Sequence, residues 1–100
     1  MASQLVDDAI AQVSVLAEVL DSVGAARYAE FFARLEGDLR HASDPSDIRE
    51  AVHRGLAMYG GMNTFNDYVV MSGNTPDVES NRRIDQLRTA VYECLLRLAA

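Results

Sequence analysis

Apolar residues recur along the first segment at Leu5, Ala9, Val13, Leu16, Leu20 and Val23, in steps of 4, 4, 3, 4 and 3, while Asp7, Asp8, Gln12, Ser14, Glu18 and Asp21 fall mostly elsewhere. That period predicts an amphipathic helix that ends at Gly24. Tyr28, Phe32, Leu35 and Leu39 repeat the pattern over residues 25–41, until the Ser43-Asp44-Pro45 cluster breaks it. Asp44-Pro45-Ser46-Asp47 is a helix start: Asp44 caps, Pro45 suits the first helical position, and Asp47 complements the dipole. Ile48, Val52, Leu56 and Tyr59 form the third stripe, and Gly60-Gly61 ends it because glycine adopts the left-handed conformation common at helix termini. The last stripe is Ile84, Leu87, Val91, Cys94, Leu95 and Leu98, and Thr75-Pro76-Asp77 marks its start.

Between these helices, residues 62–71 carry two opposed signals. Thr64 is a potential cap for a short helix, whereas Tyr68-Val69-Val70 has strand propensity. A short helical turn is the expectation, followed by a polar loop over residues 72–76. The prediction is therefore an all-α protein: one domain over residues 1–100, an antiparallel bundle of about four helices, with a short helical or irregular segment near residues 64–71.

The chain has 100 residues, nine arginines, no lysine, fifteen acids and a formal net charge of −6. Its length suffices for one core without metals or disulfides. The acidic balance argues against nucleic acid and anionic membranes as partners, since both are recognised through basic side chains. Residues 1–50 carry ten acids and four arginines, and residues 51–100 carry five of each, so the first half holds the whole excess. This places a negative surface over the first three helices, either a solvated face or a docking surface for a basic partner. No basic leader and no apolar run long enough for a membrane helix are present, which predicts a cytoplasmic protein. Cys94, the single cysteine, sits on the apolar stripe of the last helix and reads as an inert core thiol.

Candidate chemistry is sparse. Glu50-x-x-His53 has the spacing used by carboxylate-bridged di-iron bundles, but the only companion is Asp38-x-x-His41, and two further inward glutamates are lacking. The histidines read instead as surface residues beside carboxylates, and no metal or cofactor is expected. No nucleophile elbow or phosphate loop occurs, and Asp7 and Asp8 point in different directions on a helix, so no enzyme activity is expected. The most individual stretch is Met58–Tyr68, with three aromatics, two methionines and two asparagines around a break. Two readings stand for it. In one, Phe65 plugs the end of the bundle while Asn66 or Asp67 bonds free backbone groups. In the other, the stretch is a contact surface, since Tyr and Met are favoured at interfaces.

Tyr59-Gly60-Gly61-Met62-x-Thr64-Phe65-Asn66-Asp67, followed by the Leu87-Arg88-Thr89-x-Val91-Tyr92-Glu93 helix, resembles an uncharacterised family of small bacterial helical proteins over roughly residues 48–98. The resemblance implies no enzyme activity and no catalytic residues. By analogy, a short acidic all-helical protein of this kind is similar to immunity proteins of bacterial toxin systems, which occlude a toxin's active site. On that reading the partner is a cognate protein toxin with a basic cleft. Asp7, Glu18, Asp21, Glu30, Asp44 and Asp47 would supply the electrostatics, and Met62, Asn63, Phe65 and Tyr68 a less charged contact. The alternative is another non-catalytic interaction module: an adaptor, a regulatory subunit or a homodimerising bundle.

Overall fold

A computed structural model describes residues 2–60 and 65–100. Four helices carry the fold: α1 (Ala2–Ser22), α2 (Ala26–His41), α3 (Pro45–Ala57) and α4 (Val78–Ala99). Between α3 and α4 lie a single 3-10 turn (Phe65–Asp67) and a two-stranded antiparallel hairpin, β1 (Met71–Ser72) with β2 (Thr75–Pro76). The expected all-α bundle is what forms.

Three helix boundaries have a clear local cause, whereas α3 ends at Ala57 with Met58 still in the right-handed region, ahead of the expected Gly60-Gly61 stop, and Gly60 is not left-handed. Gly24, at φ +83, ends α1, with the Ala25 amide donating to Leu20 O (2.9 Å) and the Gly24 amide to Asp21 O (3.1 Å). This closes the orphan carbonyls of the last turn through a left-handed residue, as in a Schellman motif. Asp44 starts α3 by accepting from the Ser46 amide (2.9 Å), the Asp47 amide (3.1 Å) and the Ser46 hydroxyl (2.8 Å), with Pro45 in the first turn. The start of α4 differs from the expectation built on Thr75. Asp77 is the cap, accepting from the Ser80 amide and hydroxyl, while Thr75 and Pro76 are strand residues paired with Ser72 and Met71. The polar loop expected at residues 72–76 is thus the tip and return strand of a hairpin. Gly73, at φ +67, supplies the positive dihedral that two-residue hairpin loops require.

The helices alternate in direction. Asp21 of α1 lines one groove with Ala26 of α2, and Ser14 lines it with Ala33 and Glu36. Arg54 of α3 pairs with Asp38 of α2 at 2.9 Å, and the Tyr59 hydroxyl just beyond α3 donates to Arg88 O of α4 at 2.9 Å. One core joins the four stripes. Val13, Leu16, Leu20, Phe32, Leu39, Val52, Ile84, Val91 and Leu95 are fully or almost fully buried. At Gly55 three helices converge: a Cβ there would lie 2.9 Å from Leu95 Cδ1 and 3.0 Å from Leu35 Cδ2. A glycine lets the backbone of α3 approach both neighbours.

Among the described residues, no helix is long and apolar enough to cross a membrane. Cys94 is buried in the core, and that burial pushes its thiol pKa up.

Candidate functional site

Three of the acidic residues singled out from sequence come together. Glu18 and Asp21 of α1 and Glu30 of α2, joined by Glu36, line an open groove of about 510 Å³ between the two helices. Ala17, Ala26, Ala29 and Ala33 line it as well, so small side chains leave the space and carboxylates border it. Glu30 pairs with Arg34 (3.1 Å) and Glu36 with Arg40 (2.8 Å), both one turn along α2. Among the described residues Glu18 and Asp21 have no ion-pair partner, so the uncompensated negative charge lies on the α1 side.

The other three acids do not join this groove. Asp44 and Asp47 sit at the α2–α3 connection and serve the backbone there. Asp44 caps α3, and its carboxyl is held below the ordinary carboxylate range by the Ser46 hydroxyl first and then the Asp47 amide. Asp47 accepts from the Ser43 amide and hydroxyl, both at 3.3 Å. Asp7 is exposed two turns into α1, and the antiparallel pairing of α1 with α2 puts it at the end of the hairpin away from Asp21. The acids of the first three helices thus divide among the α1–α2 groove, a second groove at the α2–α3 connection that Asp38, Asp47 and Glu50 line with His41 and Arg54, and Asp7.

Phe65 is not the surface contact considered for it. Fully buried, it fills the end of the bundle at the centre of a network that includes all seven aromatic side chains. Its ring lies 5.0 Å from Tyr28, 5.0 Å from Phe32 and 5.8 Å from Tyr59. Tyr68, half-buried, stacks edge-on against Tyr28, Phe31 against Phe32, and Tyr92 lies 5.0 Å from Tyr59. The plug reading of this stretch is the one the geometry satisfies. Asn66 adds to it by donating from Nδ2 to Tyr59 O at 2.8 Å, a carbonyl left over just past α3. Gly61, Met62, Asn63 and Thr64, among them two expected contact residues, lie outside the described residues.

Sequence reasoning missed the residue that ties this end together. Arg88 of α4, only 13% exposed in its side chain, donates from Nη1 to Phe65 O (2.6 Å) and Tyr68 O (3.4 Å), and its Nη2 pairs with Asp85. Its guanidinium carbon stands 5.2 Å from the Phe65 ring centroid, within cation-π range. Five fixed donors suit Arg to span two carbonyls and a carboxylate, and its sequence signal was its place in the Leu87-Arg88-Thr89 segment of the resemblance, to which no role was attached. Tyr59 is pinned from the other side by its bond to Arg88 O, and burial raises its phenol pKa well above the ordinary value.

A second groove of about 480 Å³ opens beside this cluster. Its lining joins Leu56, Tyr59, Gly60 and Asn66 to Arg88, Thr89, Tyr92 and Leu96 of α4. Two segments quoted in the resemblance thus meet in one place. Of the two spacings considered for a metal, the Asp38-x-x-His41 pair is engaged separately, Asp38 with Arg54 and His41 Nδ1 2.8 Å from Gly37 O, while Glu50 and His53 line a groove with Arg49 and Arg54. Among the described residues no three His, Cys, Asp or Glu side chains are grouped to hold a metal.

Residues 21–79 match the model of a family described as "Domain of unknown function (DUF6966)". The matched span begins in the last turn of α1 and runs through α2, α3 and the hairpin into the first turn of α4, more than half of the chain. Comparison with curated proteins and with solved structures gives no match.

Proposed function

We propose that this protein, which belongs to the DUF6966 family of domains of unknown function, is a non-catalytic immunity protein that binds a cognate bacterial toxin and occludes its active site. The observation that carries the reading is the α1–α2 groove, where Glu18, Asp21, Glu30 and Glu36 border a strip of alanines. Such a groove suits a basic partner surface: clustered charge of one sign accelerates encounter, and small side chains permit close approach. The cleft of a toxin that acts on a negatively charged substrate offers the complementary charge. Most of α1 lies outside the family match, so one wall of the groove comes from sequence that the family model does not cover.

The test begins with a tagged form of the protein in lysate of its source cells, washed at low and then moderate salt. The retained protein is next produced alone and with this chain. Growth inhibition by the partner that co-expression relieves supports immunity, and a harmless partner overturns it. Glu18→Lys with Asp21→Lys should weaken the complex and flatten its salt dependence, because a pair held by exposed charges is screened over about 8 Å at physiological ionic strength.

A second reading, a self-associating bundle, draws on Val69, Met71 and Val78. All three are at least half exposed, and they cluster at the hairpin while the intervening Val70 is buried. Sedimentation separates the two: a monomer at all concentrations removes the second reading.

A further inference from the structure

α3 lies across α2 and α4, while α1 packs against both of those helices and so joins them independently of α3. Of the four helices α3 is the shortest, with 13 residues against 21, 16 and 22. It also buries the smallest groups: Ala51, Val52 and Gly55, with Ile48 and Leu56 only partly covered. Its neighbours bury Ile10, Val13, Leu16 and Leu20 in α1, Phe32, Leu35 and Leu39 in α2, and Ile84, Leu87, Val91 and Leu95 in α4. Stabilisation follows the apolar area removed from water, so α3 is the helix held least. Its ion pair to α2, Arg54 with Asp38, joins two well-exposed side chains and adds little. Gly55 lowers the helix propensity of the segment, and a helix of this length away from its neighbours is marginal in water.

The chain beyond α3 is anchored without it. The Tyr59 hydroxyl is bonded to Arg88 O, and Phe65 packs on Tyr28 and Phe32 of α2. Arg88 and Asn81 of α4 hold the carbonyls of Phe65, Tyr68 and Val70. We propose that α3 is a detachable helix: Pro45–Ala57 opens as one unit while α1, α2 and α4 stay packed. Opening uncovers Leu35 and Leu95, the buried leucines of α2 and α4 against which Gly55 rests in the closed form. The opened segment easily spans the roughly 20 Å that it covers as a helix, so neither anchor has to move. The acidic groove between α1 and α2 lies outside the opening unit.

Amide hydrogen exchange of the whole chain, followed by NMR in rising sub-denaturing urea, tests this. Corrected for intrinsic rates, the amides of Val52, His53 and Leu56 should exchange at least about tenfold faster than those of Val13, Leu16, Leu35 and Val91. They should share one urea slope, shallower than that of the other helices because less surface is exposed. Ile10→Val, in α1, should speed exchange in α1, α2 and α4 by about two- to tenfold and leave α3 unchanged, since α1 is intact in the opened state. Equal rates, or an α3 that Ile10→Val speeds as much as α1, would mean that α3 unfolds only with the whole molecule and overturn the proposal. A urea slope near zero in α3 would mean fraying residue by residue and overturn it as well.

Discussion

Asn81 holds Val70 by both sides of its peptide unit: its Oδ1 accepts from the Val70 amide at 2.8 Å, and its Nδ2 donates to the Val70 carbonyl at 3.0 Å. The Asp77 amide adds a second donor to the same carbonyl at 2.9 Å. One side chain of α4 thus stands in for a neighbouring strand and anchors the hairpin, whose two-residue strands could not hold themselves. Asn81→Ala leaves the buried Val70 amide without a partner and should cost about 1–3 kcal/mol in urea unfolding. Hydrogen exchange at Val70 should speed up more than in α1 or α2. Equal protection there would show that the hairpin stands without the clamp.

Phe65 sets the fate of the same end of the molecule. Phe65→Ala empties the centre of the aromatic network and should destabilise by about 3–5 kcal/mol, a large share of the roughly 5–15 kcal/mol available to a domain. Phe65→Leu should cost less and keep the helical signal while weakening the near-ultraviolet signal of the tyrosines. A loss below about 1 kcal/mol for Phe65→Ala would contradict the plug role.

Gly55 separates propensity from packing. Gly55→Ala gains roughly 1 kcal/mol of helix propensity but pushes a Cβ against the flexible ends of Leu95 and Leu35, so the net change in stability should be small. Gly55→Leu has no room and should destabilise by about 1–3 kcal/mol or more. Chemical denaturation of the two variants gives the comparison, and equal stabilities would refute the close approach of the three helices.

Stability should fall at both ends of the pH scale for different reasons. Tyr59 in the unfolded chain ionises near 10.0, whereas burial holds the folded phenol protonated well above that. Its contribution is complete below pH 10 and is lost as pH rises further, at about 1.4 kcal/mol per unit until the folded group ionises. Asp44 and Asp77 have folded pKa values lowered by Ser46 and Ser80, so their contribution is present above the ordinary carboxylate value of 3.8 and is lost as pH falls below it. Thermal melts of the protein and of Tyr59→Phe from pH 8 to 11.5 check the alkaline limb. An identical slope in the variant would assign the loss to other groups. Asp44→Asn and Asp77→Asn, both still able to cap, should blunt the acid limb.

What the sequence determined by itself is what local physics controls. The four apolar stripes appear where a period of 3.6 residues puts one face of each helix inward, and the caps Asp44 and Gly24 act across three to five residues of chain. These interactions need no knowledge of the rest of the molecule. The Gly73-Asn74 pair also carried a turn signal, but Thr75-Pro76 beside it looked like a helix start, and the two-residue strand pairing was lost between them. The choice between the two readings of Phe65 belonged to the tertiary structure, because an aromatic after a helix end serves equally as plug or contact until neighbouring helices close around it. Glu18, Asp21 and Glu30 share a groove, and Asp44 and Asp47 stand apart, only because α1 and α2 pack antiparallel. Arg88 reaches Phe65 across 23 residues and Asn81 reaches Val70 across 11. Such contacts depend on the register of one helix against a loop, and the spacing of residues along a chain does not encode that register.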